Sequence, residues 1–127
     1  MNKQNGKGIT RIFKAWKCSM QGFKAAYINE SAFRQELLLT FLLFPVSFVI
    51  ASSLGSWIAL VISLLFLLLV EVINSAIEAL ADRISTEHHE LLGRAKDLGS
   101  AAVFIALLIV TLVWGVSLFE YFEARSI

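Results

Sequence analysis

The sequence predicts an all-α membrane protein: an N-terminal amphipathic surface helix followed by three transmembrane helices, in one domain over residues 1–127. Three observations lead there. Long apolar runs occupy residues 37–54, 56–70 and 99–119, none of them holding a charged side chain, in a chain that is 57% apolar with a single Pro. A soluble bundle would interrupt such runs with charges at helical spacing. Lys and Arg are also distributed unevenly. Seven of the eleven, namely Lys3, Lys7, Arg11, Lys14, Lys17, Lys24 and Arg34, precede residue 36. Arg83, Arg94 and Lys96 fall between the second and third runs, and the SSLGS turn between the first two has none. Finally, residues 9–27 are amphipathic and basic. By the positive-inside rule the N-terminus and the 82–97 segment are cytoplasmic, an asymmetry that the net charge of +1 conceals. No signal peptide is expected, because the first 36 residues lack a continuous apolar core and a small-residue cleavage site. The lone Cys18 excludes an intrachain disulfide.

The first element is a surface helix at about residues 8–28. Ile9, Ile12, Phe13, Trp16, Met20, Phe23 and Tyr27 recur at helical spacing, while Arg11, Lys14, Gln21 and Lys24 fill much of the other face. Such a helix lies in the membrane interface. It is either a plain anchor or an anchor whose cations also hold an anionic ligand. NESAFRQE, residues 29–36, joins it to the first span with Glu30, Arg34 and Glu36, either a charged border of the span or part of a site. The spans are expected at about 30–53, 56–83 and 96–120, with a kink or local break at Pro45.

The second span reaches bilayer length only if it continues through Glu71 into VINSAIEAL. At 100° per residue Glu71, Asn74, Glu78 and Asp82 fall in a narrow arc, with Ser75 beside it. Ionised carboxylates are costly in hydrocarbon and face a protein interior or a wet cavity there. For Asp82 the expected role is plain: it reaches water or bonds another helix. For Glu71, Asn74 and Glu78 a functional role is expected. Three chemistries suit them: Mg²⁺ binding with phosphates, a general base of raised pKa, and a proton relay. A polar face this long on three helices predicts packing against other subunits.

Residues 82–100, DRISTEHHELLGRAKDLGS, are dense in groups suited to nucleotide or phosphate: Arg83, His88, His89, Arg94 and Lys96. EHHE is not the HExxH zinc pattern, GRAKD is not a Walker A loop, and the kinase glycine loop is absent. The alternative for this segment is a solvated turn leading into the third span.

NSAIEALADRISTEHHELLGRAKDLGSAAV resembles the signature region of the bacterial integral-membrane diacylglycerol kinases. AAYINESAFRQE resembles that family's N-terminal motif and TRIFKAWKCSMQGFKAA its surface helix, so the likeness runs from about residue 9 to residue 114. The resemblance implies a homotrimer in the bacterial inner membrane, with sites shared between subunits at the cytosolic surface. It implies transfer of the γ-phosphoryl of Mg-ATP to the hydroxyl of diacylglycerol, giving phosphatidate. It implies Glu71 as general base with Asn74 beside it, and Glu30 and Glu78 as metal ligands. ATP contacts are implied for Arg11, Cys18, Glu30, Glu78, Glu87, His88, His89, Lys96 and Asp97. Substrate-side positions are Arg11, Lys24, Arg34, Gln35, Glu36, Glu71 and Ser100. Cys18 and His88 stand where the family pattern has aromatics, and Pro45 and the tail FEYFEARSI match no motif. A relative within the same fold acts on undecaprenol. A proton-coupled transporter using Glu71 and a non-catalytic membrane adaptor are the other functional classes that the residues admit.

Overall fold

A computed structural model describes residues 7–126. Lys3 and Ile127, both part of the sequence expectations, lie outside the described residues. The chain forms four helices in order: α1 (Ile9–Asn29), α2 (Ser31–Ile50), α3 (Leu54–Ile84) and α4 (Glu90–Arg125). The last three are long and apolar enough to cross a membrane. At 1.5 Å per residue the 31 residues of α3 extend roughly 46 Å, well beyond a hydrocarbon core of about 30 Å. One continuous helix therefore carries its polar C-terminal end out of the apolar layer.

The joints follow local chemistry. Between α1 and α2 only Glu30 leaves helical geometry, with φ −118° and ψ 107°. Its N–H still donates to Ala26 O at 2.9 Å, closing α1, while its carbonyl accepts from Arg34 N–H at 3.3 Å, opening α2. Ser53 starts α3, its Oγ accepting from Ser56 N–H at 3.0 Å. Among residues 85–89 the Ser85 hydroxyl accepts from Glu87 N–H at 3.0 Å.

Of the kink or local break expected at Pro45, no break forms, since α2 runs through the proline. One expectation needs correction. The 82–97 segment, expected to join the second and third spans outside the membrane, is mostly helix rather than a loop. Only residues 85–89 lie between α3 and α4, so α4 begins six residues before the expected start of the third span and ends at Arg125. The reason is compositional: ELLGRAKD is rich in Leu, Glu, Arg, Ala and Lys, all good helix formers, and Glu90 in the first turn suits the positive end of the dipole. Gly93 lowers propensity, yet its N–H still bonds His89 O at 2.9 Å.

The core lies at the middle of α3. Leu60, Leu64 and Leu67 are fully buried against Ala106, Val110 and Trp114 of α4 and Ile50 of α2. Two indole–hydroxyl bonds brace it. Trp114 Nε1 donates to Ser63 Oγ at 3.1 Å, tying α4 to α3. Trp57 Nε1 donates to Ser47 Oγ at 3.0 Å, tying α3 to α2. Each serine hydroxyl donates in turn to a carbonyl of its own helix, Leu60 O and Phe44 O, so no donor in either chain is left over. Elsewhere large apolar side chains point outward, including Phe41, Phe48, Phe104, Leu112 and Phe119, each more than 60% exposed.

Candidate active site

The polar stripe forms as its spacing requires. From the hydrocarbon side outward, Glu71 and Asn74 are buried, Glu78 is half-buried and Asp82 is exposed. Ser75 donates its hydroxyl to Glu71 O at 2.9 Å and lies 3.5 Å from Glu71 Oε1. Asn74 Nδ2 donates to Glu78 Oε1 at 3.3 Å, one turn along the helix. Asp82 meets Lys96 of α4, Nζ to Oδ1 at 2.5 Å. The expectation that Asp82 bonds another helix is what the structure contains.

Glu71, Asn74 and Glu78 open onto one cavity of about 360 Å³, together with Glu30 and Ser100. The extended backbone at Glu30 is what brings it there, since that residue belongs to neither helix. Three carboxylates and an amide from the predicted set thus meet within a single chain. Partial burial raises the Glu30 carboxyl above the ordinary glutamate value, and the nearby negative charges of Glu78 and Asp82 raise it further. A cation in the cavity would reverse the Coulombic part of that shift. Among the described residues no three His, Cys, Asp or Glu side chains gather into a metal-holding group. Mg²⁺ commonly takes one or two carboxylates and completes its shell with water and substrate phosphates, and Glu30 and Glu78, which line this one cavity, are the residues that would hold it.

A second cavity, of about 190 Å³, is lined by Glu87, His88, His89 and Lys96, with Ser85 and Thr86. Lys96 of this cavity and Ser100 of the first are one turn apart on α4. Four of the residues implied for nucleotide contact thus line one cavity. Asp97 is exposed and lines neither.

Other predicted positions stand apart in the single chain. Arg11, Cys18 and Lys24 are exposed along α1 and line neither cavity. Arg34 turns back on the end of α1, with Nη1 donating to Tyr27 O at 2.7 Å and Ile28 O at 3.1 Å, where helix carbonyls lack partners of their own. Gln35 is exposed. Glu36 is half-buried with Oε2 unbonded among the described residues, close enough to Glu71 for their charges to interact. Sequence reasoning missed Gly99, which lies directly against Asn74. Helical spacing identifies the face of α3 but gives no register for α4 beside it.

Known proteins match the chain over most of its length. The model of the family described as prokaryotic diacylglycerol kinase matches residues 17–118. The diacylglycerol kinase of Haemophilus influenzae is 48% identical over 112 residues, covering 88% of this chain and 95% of that relative. That of Escherichia coli strain K12 is 44% identical over 118 residues, covering 93% and 97%. That of Pseudomonas aeruginosa is 47% identical over 107 residues, covering 84% and 87%. With a likeness spread over nearly its whole length and including both cavities, the chain belongs to the prokaryotic diacylglycerol kinase family.

Proposed function

We propose that the protein is an ATP-dependent lipid kinase that moves the γ-phosphoryl of Mg-ATP to the hydroxyl of diacylglycerol, producing phosphatidate. The observation that carries this reading is the cavity joining Glu30, Glu71 and Glu78. Glu71 and Glu78 are seven residues apart, roughly 10 Å along the helix axis. That separation suits a lipid hydroxyl arriving from the bilayer and phosphates arriving from water. Glu71, buried and held by Ser75, accepts the proton of the lipid hydroxyl as its oxygen bonds to the γ-phosphorus and the bond to the ADP oxygen breaks. Glu30 and Glu78 hold the magnesium that accompanies ATP, which supplies charge neutralisation at the phosphates. Asn74 fixes one oxygen of Glu78 and leaves the other for that ion. Lys96, with Glu87, His88 and His89, forms the nucleotide side. Asp97, Arg11 and Cys18 complete it in this reading, while Lys24, Arg34, Gln35, Glu36 and Ser100 line the approach of the lipid.

The functional unit in this reading is a homotrimer in the bacterial inner membrane, with the N-terminus cytoplasmic. That Arg11, Cys18 and Lys24 line neither cavity of the single chain supports sites completed between subunits. The row Ile9, Ile12, Phe13 and Trp16, all more than 60% exposed, supports α1 lying in the membrane interface.

The test is phosphate transfer from labelled ATP in mixed micelles, with diacylglycerol and undecaprenol offered separately and Mg²⁺ present or chelated. Mg²⁺-dependent labelling of diacylglycerol is the expected result. Labelling chiefly of undecaprenol would move the chain to the other lipid, and no labelling by folded protein would overturn the kinase reading.

A further inference from the structure

Asn74 has an unusual partner set. Its amide nitrogen is bonded to Glu78 Oε1, but its amide oxygen is buried and has no hydrogen-bond donor among the described residues. That oxygen occupies the space where a side chain on Gly99 of α4 would begin. A methyl group there would overlap Asn74 Oδ1 outright and stand 3.2 Å from Cγ and 3.8 Å from Cβ. Gly99 itself is buried in the middle of a long helix. Glycine at such a position costs about 1 kcal/mol of helix propensity relative to alanine. Local helix stability therefore argues against the residue found, and the overlap with Asn74, whose atoms are the nearest among the described residues, argues for it.

We propose that Gly99 is a positioning residue for the reaction, acting through Asn74. Its bare Cα lets α4 close on the amide oxygen, so the carboxamide is clamped between the two helices. The clamp also fixes its sense. With the oxygen pressed against Gly99, the NH₂ group faces Glu78, the only one of the two orientations that a carboxylate oxygen accepts. Glu78 Oε1 is thereby held, and Oε2 is presented to the cavity at a defined place. The α3–α4 packing sets the geometry of a carboxylate seven residues beyond the base. Nothing in Gly99 touches substrate.

The inference rests on the role given above to Glu78, and its test separates the two. Gly99→Ala, Asn74→Ala and the double variant are prepared as full-length protein in mixed micelles. Each is measured for kcat, for the Mg²⁺ dependence of kcat, for Mn²⁺ binding by electron paramagnetic resonance with a non-hydrolysable ATP analogue, and for thermal unfolding. The expected result for Gly99→Ala is a kcat lower by at least about tenfold, the scale of a lost hydrogen bond to a charged group, with weaker Mn²⁺ binding. Asn74→Ala should behave alike, and adding Gly99→Ala to it should change kcat by less than about twofold. In that background alanine should also raise the unfolding temperature, since the overlap is gone and the helix propensity gain remains.

A Gly99→Ala protein within about twofold of the parent overturns the proposal. So does an equal loss in both backgrounds, which would mark a packing role independent of Asn74. Should Gly99→Ala fail to fold, recovery of folding in the double variant supports the clamp and continued failure overturns it. Glu78→Gln is the control for the underlying reading. If it leaves Mn²⁺ binding intact, the metal role of Glu78 falls, while the non-additivity of Gly99 and Asn74 still tests the clamp.

Discussion

Replacing Glu71 by Gln should separate the proposed catalysis from folding. Glu71 is 3% exposed and shares its cavity with two further carboxylates, Glu30 and Glu78. The amide is nearly isosteric and can still meet the Ser75 hydroxyl, so the packing around it is preserved. What disappears is the ability to take a proton. General-base contributions are worth about 10²–10⁴ in rate, or about 2.7–5.4 kcal/mol of barrier. For folding the sign is the opposite. A buried anion surrounded by like charges is replaced by a neutral group, which relieves desolvation and repulsion. Stability should therefore hold or rise, by about 1 kcal/mol, within the range seen for favourable single changes. The assay is single-turnover transfer from labelled ATP to diacylglycerol, paired with thermal unfolding followed by circular dichroism in the same detergent. A loss of only a few-fold would refute the base assignment. A large loss accompanied by a lower unfolding temperature would also refute the reasoning, because it would make Glu71 a structural group.

Further expectations follow from other parts of the molecule. Glu30→Gln and Glu78→Gln should each shift the Mg²⁺ dependence of ATP use to higher concentration, and an unchanged midpoint in both would remove their metal role. Because the folded protein holds the Glu30 proton above the ordinary glutamate value, Glu30 favours folding below that ordinary value. The contribution is lost as pH rises through its raised value. In metal-free protein, Glu30→Gln should thus raise the unfolding temperature at neutral pH and leave it unchanged near pH 4, about the ordinary glutamate value; equal shifts at both pH values would contradict this. Ser63→Ala strands the buried indole N–H of Trp114 and should cost about 0.5–2 kcal/mol of stability, read as an earlier loss of helix on heating. Asp82→Asn breaks an ion pair whose side chains are 58% and 43% exposed, and the change in unfolding free energy should stay under about 1 kcal/mol.

The sequence by itself determined the helices and the face of α3 on which the proposed site is built. Apolar runs of this length have no other stable form in a bilayer, and a period of 3.6 residues puts Glu71, Asn74, Glu78 and Asp82 together whatever surrounds them. The motifs EVINSAIE and GRAKD likewise identified the family. The tertiary structure decided what the periodicity of one segment cannot encode. It decided that Glu30 turns out of both its helices to enter the Glu71 cavity, which depends on a backbone break one residue long. It placed Lys96 on Asp82 and in one cavity with His88 and His89, and it extended α4 back to Glu90, where a loop was expected. It also set Gly99 against Asn74. The Lys96–Asp82 and Gly99–Asn74 meetings are matters of register between α3 and α4, which pack through Leu64, Val110 and the Trp114–Ser63 bond away from the site. Helical spacing says which residues share a face; only the packed core says which face of the neighbouring helix they meet.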